Sequence, residues 1–311
     1  MKPIIVVGSI NMDLVATARH LPQPGETLIG DSFTTYHGGK GANQAVGIAR
    51  LGHPVRMAGA VGADAFGTQL RAGLTAAGVD ASTVETVDGP SGVALIVTGD
   101  AGENSIVVVP GANAAVTPER LESLSPQLRG AAMLMAQLEI SIDSIDWLAA
   151  FAARHRIPFM LDPAPARTLS PSILRHVDWL TPNESETATL LGGGGGGQGG
   201  GHGDAASRLM AMGARGVVLK LGAAGCIVAE PGVPDVAIEA ARVTAVDTTA
   251  AGDAFNAGFA VGLARGQDAV AAARFATIVA GLSVTRRGAQ PSMPSAQDVQ
   301  DHAAMTAAGA A

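Results

Sequence analysis

Short runs rich in Val, Ile and Leu alternate along this chain with longer segments in which apolar and polar residues share a helical period. The runs at 4–7, 131–138, 158–161, 177–180 and 217–221 are dominated by apolar residues and read as strands covered on both faces. Segments 42–51, 145–154, 205–212, 254–264 and 269–284 read as helices. Strand, helix and strand in repeated order predicts an α/β fold, with a mostly parallel central sheet and helices on both of its faces.

Two stretches break this rhythm. Residues 14–33 hold short strand-like pieces around Pro22, Pro24 and Gly25. Residues 92–97 and 105–109 flank Gly99-Asp100-Ala101-Gly102-Glu103-Asn104, a run of turn formers that predicts a β-hairpin. With no helix between them, these strands are expected to form a separate small sheet from about 13–37 and 91–111, placed as a lid on the larger body. Residues 192–203, GGGGGGQGGGHG, lose maximal backbone entropy on ordering and bury nothing, so a flexible surface loop is expected there. The tract matches G-x-G-x-x-G trivially. It follows a helix-like segment rather than a strand, so the context of a dinucleotide fingerprint is missing. The tail beyond Pro294 is Ala-rich and weakly patterned.

Composition narrows the class without naming a chemistry. The 311 residues, 47% apolar and 15% charged, can bury a substantial core, and we read 1–311 as one α/β domain. The net charge of −7 and the absence of any Lys/Arg-rich run argue against a nucleic-acid partner. Cys226, the sole cysteine, lies in the apolar run Gly225-Cys226-Ile227-Val228, where it reads as a small buried hydrophobe; no intrachain disulfide is possible, which fits a reducing compartment. The first apolar run is four residues long and Asn11 and Asp13 follow it, so no signal peptide is expected. No apolar run reaches 18 residues, so no membrane span is expected either, and the chain is read as cytoplasmic.

Three motifs carry candidate chemistry. Gly38-Gly39-Lys40-Gly41-Ala42-Asn43-Gln44-Ala45 opens a helix; its glycines let backbone approach a ligand, while Lys40 and Asn43 offer partners for hydroxyl groups. The bland alternative is a Gly-rich turn with a solvated Lys. It is not a phosphate-binding G-x-x-x-x-G-K-[ST] loop, which occurs nowhere in the chain. Asp247-Thr248-Thr249-Ala250-Ala251-Gly252-Asp253 leads into another helix, whose free N–H groups and positive dipole end suit an anion. Asp253 there can accept the proton of an attacking hydroxyl, or can be an ordinary N-cap. Thr181-Pro182-Asn183-Glu184-Ser185-Glu186 follows a strand; Asn183 and Glu186 share a helix face and suit Mg²⁺ water or phosphate, or form a capping box. Asn11, Asp13 and Glu139, each just after a strand, suit a sugar diol, although each taken alone is more often a solvated loop residue. The seven His show no metal-site spacing, and no G-x-S-x-G elbow supports a hydrolase.

On these residues the chain resembles the ribokinase-like (PfkB) carbohydrate kinases, whose two signatures are similar to GGKGANQA at 38–45 and DTTAAGDAFNAG at 247–258. The resemblance continues in order through 4–13, 21–26, 135–139, 162–166, 181–184 and 284–292, over nearly the whole chain. It implies the three-layer fold of that family with a small β-sheet lid, and transfer of the γ-phosphate of ATP to O5 of ribose. It implies that Asn11, Asp13, Gly39, Lys40, Asn43 and Glu139 hold the sugar and that Asp253 deprotonates it. It implies an anion hole from the backbone of Ala250, Ala251 and Gly252. ATP would meet Asn183, Lys220, Gly222, Gly225, Gly252 and Thr277. Glu186 would help place Mg²⁺. Asp247, Thr249, Ser283, Arg286, Gly288 and Ser292 would hold K⁺, mostly through carbonyl oxygens. It also implies a homodimer paired through the lid, since an open sheet edge invites a second copy. Lys220 stands where Thr is common in the family, and Thr277 where Asn or His often lies near the adenine. Two alternatives stay open: a relative acting on deoxyribose, fructose or a nucleoside, and a sugar sensor on the same fold without turnover. The intact Asp253 and 250–252 loop count against the sensor.

Overall fold

The computed structural model describes residues 1–193 and 201–309. Among them, two sheets form. The larger takes β1 (Ile4–Val7), β4 (Val55–Gly62), β5 (Asp80–Val87), β8 (Met133–Gln137), β9 (Phe159–Asp162), β10 (Trp179–Leu180), β11 (Gly216–Lys220), β12 (Cys226–Ala229) and β13 (Val236–Ile238). Their order across the sheet is β13-β12-β11-β10-β9-β8-β1-β4-β5, parallel except that β12 runs against both its neighbours. The smaller takes β2 (Asn11–Thr17), β3 (Ser32–Gly38), β6 (Gly92–Thr98) and β7 (Asn104–Val109), in the order β3-β2-β6-β7. The expected hairpin is β6–β7, joined antiparallel from Val93↔Val109 to Thr98↔Asn104.

The apolar runs explain the layers. Alternate residues of one strand point to opposite faces. Ile4 and Val6 join Met57, Met135 and Val218 in one core with helices Lys40–Arg50, Ala251–Ala264 and Ala269–Ser283. Ile5 and Val7 join Leu134, Leu161 and Val217 in a second core with helices Ile142–His155 and His202–Ala211. Neither face of the central strands meets water, which is why these runs do not alternate.

The structure adds elements that the pattern of apolar runs left out: β4, β5, β12, β13 and helix Ala65–Ala76. The Ala-rich tail is also a helix, Ala296–Gly309. Within the glycine tract, Gly192 and Gly193 take φ of 83° and 77° just past helix Glu184–Leu190, a helix-ending conformation natural to glycine. The far end is not loop: His202 and Gly203 already belong to the next helix. Residues 194–200 of the expected flexible loop lie outside the described residues.

One topological feature positions the site. The chain leaves β1 for β4 and β5 on one side, then returns to β8 on the other, so β1 pairs with both (Ile4↔Val55 and Ile4↔Met133). Open α/β sheets bind ligands at such a reversal, beyond the carboxyl ends of the strands. Here those ends deliver Ser9 and Asn11 after β1, Glu139 after β8, Asp162 on β9, Asn183 after β10 and Lys220 on β11. The small sheet grows from the same end, because β2 begins three residues beyond β1.

Candidate active site

Glycines let two loops close on each other at the mouth of β1. Gly39 has φ 86°, and a Cβ there would stand 2.7 Å from the Asn11 nitrogen. At Gly41 a Cβ would stand 2.8 Å from the Gly8 carbonyl carbon. The start of helix Lys40–Arg50 therefore lies directly on the strand that carries Asn11 and Asp13. Ser9 Oγ donates to Glu139 Oε2 in a short contact, and the Lys40 backbone N–H donates to the same oxygen at 3.1 Å. Asn11 accepts from Asn113 Nδ2 at 2.7 Å, and Asn113 Oδ1 accepts from the Ile10 N–H at 2.9 Å.

This cradle is dense in carboxylates. Burial, then the charges of Glu139 and Asp253, pushes Asp13 up to about 7. Burial works to lower the Lys40 ammonium, but Asp253, Asp162, Glu139 and Glu186 outweigh it and hold Lys40 above the usual lysine range. One lysine among several carboxylates makes the cradle a place for hydroxyl groups, which can donate to the carboxylates and accept from the ammonium. Asn43 Oδ1 is buried with no hydrogen-bond partner among the described residues, an acceptor open to one more hydroxyl.

Asp253 stands in the first turn of helix Ala251–Ala264 and is 4% exposed. Its Oδ2 accepts from Asn43 Nδ2 and its Oδ1 from Gln44 Nε2, both at 3.0 Å. Burial pushes its carboxyl above the usual carboxylate range; Lys40 opposes that rise and Asp162 adds to it. The helix is entered through Ala250, a non-glycine residue at φ 58°, and the next two residues, Ala251 and Gly252, line the neighbouring cavity. Left-handed backbone at alanine costs roughly 1–2 kcal/mol.

Beyond Gly252 opens a cavity of about 720 Å³. Lys220, Gly222, Gly225, Gly252 and Thr277 line it, with Phe255 as its aromatic wall. Gly225 has φ 95°, and a Cβ there would stand 1.9 Å from the Ile238 carbonyl, so only glycine fits that rim. Thr277 Oγ1 already donates to the Arg274 carbonyl of its own helix at 2.8 Å. Asn183 does not line the cavity. Its Oδ1 accepts from the Glu186 N–H at 2.8 Å, Glu186 Oε2 accepts from the Asn183 N–H at 2.7 Å, and its backbone bridges to Lys220. The capping-box alternative is thus realised, with Glu186 buried and its carboxyl pushed up chiefly by that burial.

This geometry matches a known family. A carbohydrate-kinase family model, pfkB, covers residues 1–296. The chain belongs to the pfkB family of carbohydrate kinases. It is 42% identical to a ribokinase of Bacillus subtilis over 97% of this chain and 99% of that protein. It is 35% identical to a deoxyribokinase of Salmonella typhimurium over 96% of this chain and 98% of that protein. The structure of Arabidopsis thaliana ribokinase complexed with ribose and ATP superposes with a TM-score of 0.90 at 32% identity, covering 96% of this chain and 98% of that one.

In this pfkB kinase the loop residues anticipated around a cation also converge. Asp247 Oδ1 accepts from the Thr249 N–H at 2.9 Å, and its Oδ2 from the Gly288 N–H at 2.8 Å. The Asp247 N–H donates to the Val284 carbonyl at 3.1 Å, tying 247–249 to 284–292. Burial tends to raise Asp247, but the bonds from Thr249 and Gly288 hold its carboxyl below the usual range. The Arg286 side chain turns away to Asp298 at 2.6 Å, and the Ser283 and Ser292 hydroxyls donate to the Ala280 and Ala289 carbonyls. The Asp247, Ser283, Arg286 and Ser292 side chains are thus all bonded within the protein.

Sequence reasoning missed four participants. Gln44 donates to both Asp253 and Asp162 at 3.0 Å, accepts from Gln137 at 2.7 Å, and Asp162 accepts from Lys220 at 3.0 Å. Asn113 stands behind Asn11. The one available signal was Asp162 itself, a charge closing the apolar run Phe159-Met160-Leu161 at the carboxyl end of a strand.

Proposed function

We propose that this kinase transfers the γ-phosphate of ATP to O5 of D-ribose. The observation that carries the reading is the position of Asp253: a buried carboxylate held by Asn43 and Gln44 between the hydroxyl cradle and the 720 Å³ cavity, at a helix N-terminus. Asn11, Asp13, Gly39, Lys40, Asn43 and Glu139 hold the sugar. ATP fills the cavity, with its transferring phosphate facing the N–H groups of Ala250, Ala251 and Gly252. Asp253 takes the proton of the sugar hydroxyl as it attacks in line, and the helix end and Lys40 stabilise charge on the transferring group.

Mg²⁺ and K⁺ belong to this reading. No group of three or more His, Cys, Asp or Glu side chains forms a metal cage among the described residues. That donor set fits Mg²⁺, which dehydrates reluctantly and is commonly held through substrate phosphates, waters and one or two carboxylates. Glu186 is the carboxylate that would hold it, and the ion would neutralise charge on the phosphates. K⁺ would sit between 247–249 and 284–292 and order the backbone leading to Ala250.

A homodimer through the small sheet also fits. Ile106, Val107, Val108 and Val109 of the edge strand β7 are 52, 57, 43 and 43% exposed, an apolar edge suited to a second copy.

A second reading, deoxyribose as acceptor, is favoured by the identity to a deoxyribokinase. A cradle with this many polar groups would leave some unpaired around a sugar lacking a hydroxyl, and such a mismatch disfavours the deoxy analogue. A panel of ribose, deoxyribose, fructose and adenosine with Mg-ATP, scored by kcat/KM, decides the matter. Ribose is expected to lead; a lead for any other acceptor replaces the reading, and sugar binding without turnover would indicate a sensor.

A further inference from the structure

Lys220 lies on the wall of the nucleotide cavity, and the structure shows where its charge goes. Lys220 Nζ donates to Asp162 Oδ1 at 3.0 Å, and the two side chains are 12% and 3% exposed. Asp162 Oδ2 accepts from Gln44 Nε2 at 3.0 Å. The same nitrogen donates to Asp253 Oδ1 at 3.0 Å, while Gln44 Oε1 accepts from Gln137 Nε2 at 2.7 Å. Both amide protons of Gln44 are therefore committed to carboxylates and its oxygen to an amide, which fixes the orientation of the group. The other end of the chain of bonds reaches the cavity: Lys220 lines it, and its Nζ lies 3.5 Å from where a Cβ on Gly252 would stand.

We infer that Lys220, Asp162 and Gln44 form a buried relay that positions the Asp253 carboxylate from the floor of the nucleotide cavity. Two roles follow from the charges. The ammonium pairs directly with Asp162, a carboxylate close to the base that otherwise shares only the Lys40 charge with the other carboxylates. The ammonium also has protons beyond the one given to Asp162, so a phosphate at Gly252 can share it. Occupation of the cavity then bears directly on the group that orients the base. Lys220 and Asp162 are positioning residues for Asp253, and Lys220 additionally faces the nucleotide phosphates. The inference rests on the kinase reading above for the identity of the phosphate. It does not rest on that reading for the contact between relay and base.

The groups facing Asp253 are Lys40 from helix Lys40–Arg50, Asp13 from β2, Asp162 from β9 and, through Asp162, Lys220 from β11. Removing a cation from this set makes the base harder to ionise, and removing an anion makes it easier. The two single variants must therefore move the base in opposite directions. In the ligand-free protein, the Asp253 side-chain carboxyl is followed by ¹³C NMR titration, with its signal assigned by its loss in Asp253→Asn. Lys220→Met is expected to move the titration to higher pH, Asp162→Asn to lower pH, and the double variant to return toward wild type. Lys220→Arg keeps the charge and should stay near wild type, which covers the case of a Met variant that does not fold. With Mg-ATP and ribose, Lys220→Met should lower kcat by roughly 10–100-fold with the sugar KM little changed, the size of a misplaced or wrongly protonated base. Its acid limb should move with the NMR titration. A titration unmoved in both single variants overturns the relay. So does a Lys220→Met enzyme in which only the KM for ATP rises, since that marks a phosphate contact and nothing more. A wild type that turns over none of the sugars overturns the kinase reading instead, while the NMR arm still decides the relay.

Discussion

On the kinase reading proposed above, the two sides of the candidate site are built on different principles. The sugar side is crowded with charge: Asp13, Glu139, Asp253 and Lys40 lie within electrostatic reach of one another, and its backbone is closed by Gly39 and Gly41 to van der Waals contact. The nucleotide side is a roomy cavity walled mostly by small and apolar residues, and the Lys220 and Thr277 side chains on its wall are bonded within the protein. The sugar side can discriminate through hydrogen bonds that a wrong ligand leaves unmade. The nucleotide side discriminates mainly through shape and backbone. Substitutions of single side chains should therefore be costly on the first and, Lys220 apart, cheap on the second.

The sharpest break is at the boundary. Asp253→Asn should lower kcat by roughly 10²–10⁴-fold while calorimetric sugar affinity stays within a few fold, because the amide keeps the shape and loses the base. Near-normal turnover would remove Asp253 from that role. Within the sugar side, Asp13→Asn should raise the sugar KM by roughly 10-fold or more, the scale of a lost charge-assisted hydrogen bond. The same change should stabilise the ligand-free protein above neutrality. The folded Asp13 carboxyl titrates at about 7, above its unfolded value, so the folded state holds the extra proton between those values. Wild-type stability from this group is therefore present at acid pH and declines as pH rises toward 7. A Tm difference between variant and wild type that fails to grow from pH 5 to pH 8 would contradict this. On the nucleotide side, replacing Li⁺ with K⁺ at equal ionic strength should raise activity through the 247–249 and 284–292 segments; equal rates would remove the cation. Ala250→Gly should stabilise the fold by up to about 1 kcal/mol in denaturant titration, by relieving its left-handed backbone, less the entropy that glycine adds to the unfolded chain. Thr277→Ala should change the KM for ATP by less than about 2-fold, because its hydroxyl is spent on Arg274 and not on the cavity.

The same contrast governs what could be read in advance. Ile4–Val7 and Phe159–Asp162 announce themselves as buried strands because nothing but branched and apolar side chains fits between two helical layers. β4 reads VRMAGAVG and escapes notice, since Gly59 is there to admit the Gly8 carbonyl, to which a Cβ would come within 2.9 Å. In the site, Asp253, Lys40 and Asn43 were legible because each lies in a glycine-led motif at a helix start. Gln44, Gln137 and Asp162 were not. They act on one another, on Lys220 and on Asp253, with Gln44 reaching its partners across 93 to 209 positions of sequence, and an amide gives no sign of such a partner until the sheet brings it there. Lys220 was legible as an oddity, but only the fold shows that it points inward.

Cys226 offers a practical opening. It lies on β12, 1% exposed, and burial pushes its thiol up to about 12, so it is inert to ordinary maleimide and iodoacetamide reagents near neutrality. As the sole cysteine, it leaves the surface free of competing thiols. A cysteine introduced at exposed Thr34 of β3 would take a dye alone. The small sheet could then be watched opening and closing against the large one by fluorescence, with no native residue first removed.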